Sequence, residues 1–149
     1  MKRSSRLSLA LHALVHLAKQ PDHMLTSSAL ATCLMTNPVV VRRVLGELRE
    51  AGIVAATRGP EGGWQLKQAP EAVTLRAVSA ALGESLLIRA ESDPGDRQCG
   101  IVRAVDAVMA EFLIEAEALL AAKLETVTLA DLSRSTTSFP FLSGAHHHG

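Results

Sequence analysis

The residues of this chain best equipped for chemistry are three arginines and one cysteine. Arg42 and Arg43 are adjacent, and Arg58 follows between Thr57 and Gly59-Pro60. A guanidinium presents a planar fork of donors that fits the edge acceptors of guanine or the oxygens of a phosphate. Cys99 stands in Arg97-Gln98-Cys99-Gly100, where Arg97 and Arg103 favour its thiolate and Asp93 and Asp96 oppose it. Cys33 lies among Ala, Leu and Met and reads as a small buried hydrophobe. Two cysteines so far apart do not make a secreted disulfide framework. His12 and His16 are one helical turn apart, which is metal-ligand spacing. Neither an H-E-x-x-H arrangement nor a third ligand accompanies them, so they read as a polar flank or subunit contact and no metal site is expected. No Ser/His/Asp set is evident. Arg58-Gly59-Pro60-Glu61-Gly62-Gly63 is glycine-rich but sits between two apolar strands, the wrong context for a nucleotide loop. An enzyme is therefore not expected.

The elements that position the arginines can be read directly. Asn37 is a strong N-cap, and Pro38 suits the first helical position, where its missing N–H costs nothing. Val41, Val44, Leu45 and Leu48 recur at i, i+3, i+4 and i+7, which makes one buried helical face. The opposite side carries Val39, Arg43, Gly46 and Glu50, with Arg42 beside them, and Gly52 supplies the stop. Ile53–Thr57 and Trp64–Lys67 are short apolar strands joined by Gly and Pro, so a hairpin follows. Upstream, Leu7, Leu11, Leu14, Val15 and Ala18 predict a first helix running to about Lys19. A second begins at a Thr26 cap with Leu30 and Leu34 inward, and Met35-Thr36 links it to the third.

This order is how a winged helix-turn-helix would be written, in which the third helix can enter a DNA major groove while the hairpin can reach the neighbouring minor groove. On it, Thr36, Asn37, Val39 and Arg43 are candidates to face base edges, with Val40 beside them. Arg42 is placed for phosphate, as are Ser27 and Ser28 at the front of the second helix. Arg58 with Gly59 at the hairpin tip is the candidate phosphate or minor-groove contact, and Trp64 anchors the hairpin to the core.

Asn37-Pro38-Val39-Val40-Val41-Arg42-Arg43-Val44-Leu45-Gly46-Glu47-Leu48-Arg49-Glu50-Ala51-Gly52-Ile53-Val54, followed by Arg58-Gly59-Pro60-Glu61-Gly62-Gly63-Trp64-Gln65-Leu66, resembles the Rrf-two family of bacterial winged-helix regulators (the IscR, NsrR and CymR type). The likeness extends to both sides and covers most of the chain. In that family the segment matched by Thr74–Leu82 closes the DNA-binding domain, which implies a boundary near Glu84. Family members that hold an iron–sulfur cluster use three closely spaced cysteines in the loop where this chain has Cys99 alone. The resemblance thus implies the subgroup without a cluster, and no cofactor is expected.

From Cys99 or Gly100 to about Leu124 the pattern predicts the longest helix. Its apolar residues, including Ile101, Val105, Val108, Met109, Phe112, Leu113, Leu119 and Leu120, cover more than one stripe. A small domain cannot cover so wide a surface, so a second subunit is expected to, an intramolecular helical hairpin being the alternative. The resemblance implies such a homodimer, presenting two recognition helices to a palindromic site. The expected organisation is mainly α with a small β-hairpin wing. A winged helix-turn-helix spans 1–84, a linker 85–98 with a brief apolar segment at Leu86–Ile88, a dimerisation helix and short terminal helix 99–132, and a tail 133–149 expected to be disordered. The terminal His146-His147-His148 is left out of the fold reasoning.

The formal net charge is zero but unevenly spread. Residues 1–67 hold nine Lys/Arg against four Asp/Glu, and the remainder six against eleven. A basic N-terminal half fits nucleic-acid binding. No run is long enough to span a bilayer and no signal segment is evident, so a cytoplasmic protein is expected. The expected function is a sequence-specific DNA-binding regulator, a homodimeric repressor, with Cys99 either a thiol sensor or a bystander. A winged helix can also bind protein instead of DNA, and a small metabolite could replace thiol chemistry as the signal.

Overall fold

The computed structural model describes residues 6–83 and 99–135. Their order is α1 (Arg6–Lys19), α2 (Ser27–Leu34), α3 (Pro38–Glu50), β1 (Val54–Thr57), β2 (Gly63–Leu66), a 3-10 turn (Pro70–Ala72), α4 (Leu75–Leu82), α5 (Gly100–Thr126) and α6 (Leu129–Ser135). The expected linker and all of the expected tail beyond residue 135 lie outside the described residues; residues 133–135, expected as the start of that tail, instead complete α6.

The amphipathic face of α3 decides the packing. Val41, Val44, Leu45 and Leu48 are all buried, and they meet Leu14 and Leu17 of α1, Leu30 of α2 and Val78 of α4 in one core. Each such side chain contributes about 1.5–3 kcal/mol by leaving water. Helix ends follow the local chemistry. Thr26 and Thr74 accept N–H donors at 3.1 and 3.0 Å from Ala29 and Ala77, and Gly83 closes α4 in the left-handed region.

The hairpin is antiparallel, pairing Val54 with Leu66 and Ala56 with Trp64. Trp64 is held from two sides. Its N–H and C=O pair with Leu25 at 2.8 and 3.0 Å, and its indole N–H donates to the Ser27 hydroxyl at 2.9 Å. Gly63 is required here, because a Cβ would sit 2.7 Å from the Leu25 carbonyl oxygen. Trp64 therefore fastens the wing to α2 as anticipated, and in doing so it overturns the reading of Ser27. That residue is buried and its hydroxyl accepts the indole N–H, so it does not face a phosphate. Cys33 also differs from expectation. Helix α2 turns Leu30 and Ala31 inward, which leaves Cys33 on the exposed face.

The larger difference is at the C-terminus. The sequence pattern predicts a winged helix-turn-helix at 1–84 and a separate dimerisation helix with a short terminal helix at 99–132. Instead α6 returns to the first unit. Leu129 is fully buried in the same core, where α6 packs on α1 and the 3-10 turn, its N–H donates to Val73 at 2.8 Å, and Leu75 donates to the Val127 carbonyl at 3.0 Å. Helix α5 contributes no buried residue. Arg76 of α4 pairs with Glu125 at its end, at 3.1 Å.

Helix α6 is closed by a reciprocal cap. Thr128 N–H donates to Asp131 Oδ2 at 2.9 Å, and Asp131 N–H donates to Thr128 Oγ1 at 3.3 Å. The Thr128 backbone bond, then its hydroxyl, hold the Asp131 carboxyl below its ordinary value near 3.8. A depressed carboxylate stabilises the fold above its unfolded value and loses that contribution as pH falls through the folded one. The difference in Tm between wild type and Asp131→Asn should thus be largest above about pH 5 and shrink below about pH 4. A gap constant with pH would remove the cap from this role. Ser27→Ala should lower the free energy of unfolding in urea by about 1–3 kcal/mol, since it orphans a buried indole N–H. The neighbouring exposed Ser28→Ala should stay within about 0.5 kcal/mol of wild type.

Candidate nucleic-acid interface

Because its apolar face is buried, α3 offers the other to solvent. Asn37 Oδ1 accepts the Val39 N–H at 2.7 Å, and Pro38 occupies the first turn, so the helix starts at a fixed point. Val39 and Val40 are 51% and 38% exposed, and Arg42 and Arg43 are exposed beyond them. Arg58 is exposed at the wing, next to Gly59 at φ 111°, and the turn is closed by Gly62 N–H to the Gly59 carbonyl at 3.0 Å. None of these three arginines forms an ion pair or hydrogen bond with another described residue. Fixed positive groups left to water are what a polyanion's phosphates and base edges require.

The remaining candidates divide. Ser28 is exposed at the first turn of α2 and stays on this surface, whereas Ser27 does not. Thr36 is half-buried, with its N–H bonded to the Ala31 carbonyl at 3.0 Å. Asn37 is exposed, but its side-chain oxygen is occupied by the cap.

Two residues that position this surface gave no sign in the sequence. Arg6 pairs with Glu47 of α3, and its other guanidinium nitrogen donates to the Leu82 carbonyl at 3.4 Å, tying α1, α3 and the end of α4 together. Arg49, in the last turn of α3, lies 6.0 Å from the Trp64 ring centre and joins that helix to the wing. Partners separated by many residues leave no local pattern to find.

Cys99 is exposed and caps α5 with its backbone, without a side-chain capping bond. The Val102 amide, then that of Ile101, hold its thiol below the ordinary value against a smaller opposing desolvation. Along α5, Ile101, Val105, Val108, Met109, Phe112 and Leu119 are exposed, and Leu113 and Leu120 are half-buried. Ile114, which the sequence reading did not single out, joins the exposed set. His12 and His16 stack with ring centres 5.2 Å apart. Burial, then His12, then Lys19, lower the His16 pKa. Among the described residues no three His, Cys, Asp or Glu side chains are grouped to hold a metal ion. No described helix is long and apolar enough to cross a membrane.

Comparison with known proteins agrees with this architecture. A protein of Synechocystis sp. named as an HTH-type transcriptional regulator is 41% identical over 87 residues. The alignment covers 58% of this chain and 59% of that relative, less than two thirds of its length. Among solved structures, T. potens IscR matches with a TM-score of 0.70 at 19% identity, over 97% of this chain and 94% of that one. CymR of B. subtilis, the global cysteine regulator, matches with a TM-score of 0.66 at 23% identity, over 91% and 98%. At these identities the two structures establish the winged-helix fold. The Rrf2 family model, described as an iron-dependent transcriptional regulator, matches residues 3–135. The chain therefore belongs to the Rrf2 family, and it is a winged helix-turn-helix transcriptional regulator rather than an enzyme.

Proposed function

We propose that this protein is a cytoplasmic homodimeric repressor that binds a pseudo-palindromic DNA operator. The observation that carries the reading is the exposed trio Arg42, Arg43 and Arg58, lacking partners among the described residues, on a recognition helix and its wing. Arg43 reads a guanine edge, with Thr36, Asn37, Val39 and Val40 around it. Arg42, Arg58, Gly59 and Ser28 meet the backbone or the minor groove. The exposed apolar length of α5 supports pairing with a second copy, which buries it and sets two recognition helices against two half-sites. Repression follows if the operator overlaps a promoter. Selecting bound duplexes from a random pool tests all of this at once. Symmetric half-sites are expected, and enrichment of a single asymmetric site would argue against the dimer.

Arg58→Ala should weaken binding on operator and random duplex alike and reduce the salt slope by about 1. Arg43→Ala should cost about 1–3 kcal/mol on the operator and relax base preference, with much smaller change on random duplex. Indifference to both substitutions, with no salt-sensitive duplex binding, would instead favour a winged helix that binds protein.

An iron–sulfur cluster does not fit this chain's thiols. An iron–sulfur cluster is held by three or four ligands, mostly thiolates. The chain has two cysteines, Cys33 on α2 and Cys99 at the start of α5, both exposed. We therefore read the protein as a regulator without a cluster, and its signal as thiol chemistry at Cys99. The exposed sulfur and its lowered pKa support this over a metabolite effector. The thiolate attacks a peroxide oxygen, the O–O bond breaks with release of water, and the resulting sulfenic acid is reduced back by a cellular thiol. Peroxide should release wild type from its operator in a mobility-shift assay and leave Cys99→Ser bound. Release of both alike would exclude Cys99.

A further inference from the structure

Outside α5, the exposed large apolar side chains among the described residues are Met35, Val39 and Val40, at 93%, 51% and 38%. They are gathered at one place. Met35 lies in the turn leading into α3, and the valines stand in its first turn. The turn is well tied. The Met35 backbone is left-handed, at φ 54°, with its N–H bonded to the Thr32 carbonyl at 3.3 Å, and Thr36 N–H reaches the Ala31 carbonyl at 3.0 Å. A methionine thus projects from a fixed backbone into open solvent. No acidic residue lies between Met35 and Arg43, and the two arginines border the patch.

An apolar cluster bordered by cations suits a partner that is polyanionic overall and apolar at a few points. The floor of the DNA major groove is such a surface, and its apolar group is the C5-methyl of thymine. The N-terminal part of a recognition helix is the part that reaches base edges. The patch is also continuous with Arg43, one helical turn beyond Val39. We propose that Met35, Val39 and Val40 form a methyl-reading surface, and that the operator half-site places thymines beside the guanine taken by Arg43. This rests on the DNA-binding reading above and adds a base identity to it.

The test separates the two ideas. Duplexes are selected from a random pool containing thymine and from the same pool built with uracil, which lacks only the methyl. Thymine should be enriched beside the guanine in the first pool, and uracil should not be enriched there in the second. Replacing one contacted thymine by uracil in the selected operator should weaken wild type by about three- to fivefold. The doubly substituted Met35→Ala/Val39→Ala protein should bind both operators equally. Both positions are exposed, so its Tm should match wild type. Equal enrichment of thymine and uracil overturns the methyl reading and leaves DNA binding intact. So does a doubly substituted protein that still distinguishes the two bases. Enrichment of no sequence in either pool overturns both.

Discussion

The burial of one face of α3 is the constraint from which the rest of this structure follows. Val41, Val44, Leu45 and Leu48 can be removed from water only by turning the helix toward α1, α2 and α4. That rotation obliges Val39, Val40, Arg42 and Arg43 to face outward. One face of apolar and cationic groups is the consequence, because residues on the free side of a buried rod share one direction. Contacts to other elements make the rotation definite, through the Arg6–Glu47 pair to α1 and the Arg49–Trp64 contact to the wing.

The wing depends on the same core by a different route. A two-stranded hairpin is marginal alone. Here Trp64 ties it to α2 through the Ser27 hydroxyl and to the Leu25 backbone, so that Arg58 projects from an anchored ribbon. Closing the fold, α6 brings Leu129 into the centre of the first unit. Helix α5 is consequently tethered at its C-terminal end, through Val127 and the Arg76–Glu125 pair, to the body that carries the recognition helix.

Much of the architecture was legible without coordinates because it is written in local chemistry. Caps at Thr26 and Asn37, the stop at Gly52, the period of the α3 face and the Gly-rich turn each involve residues within a few positions of one another. The same locality explains what was misread. Ser27 looks like a free hydroxyl in its own helix, and its partner Trp64 is 37 positions away. Cys33 has apolar neighbours in sequence, but the helical rotation fixed by Leu30 and Ala31 turns it to solvent. The segment after α5 reads as part of an appendage, because nothing near Leu129 announces its place against α1 and the Pro70–Val73 turn.

By itself, then, the sequence determined which stretches become helices and strands, where they stop, and which side of the recognition helix carries its arginines, since these depend on neighbouring residues and on periodicity. Only the tertiary structure decided which polar groups those helices would consume and which they would leave over. It spent Ser27, Arg6 and Glu47 on holding elements together and left Arg42, Arg43, Arg58 and Met35 to solvent. The physical reason is that a hydrogen bond or an ion pair is a property of two positions in space, and the chain specifies those positions only once its core has formed.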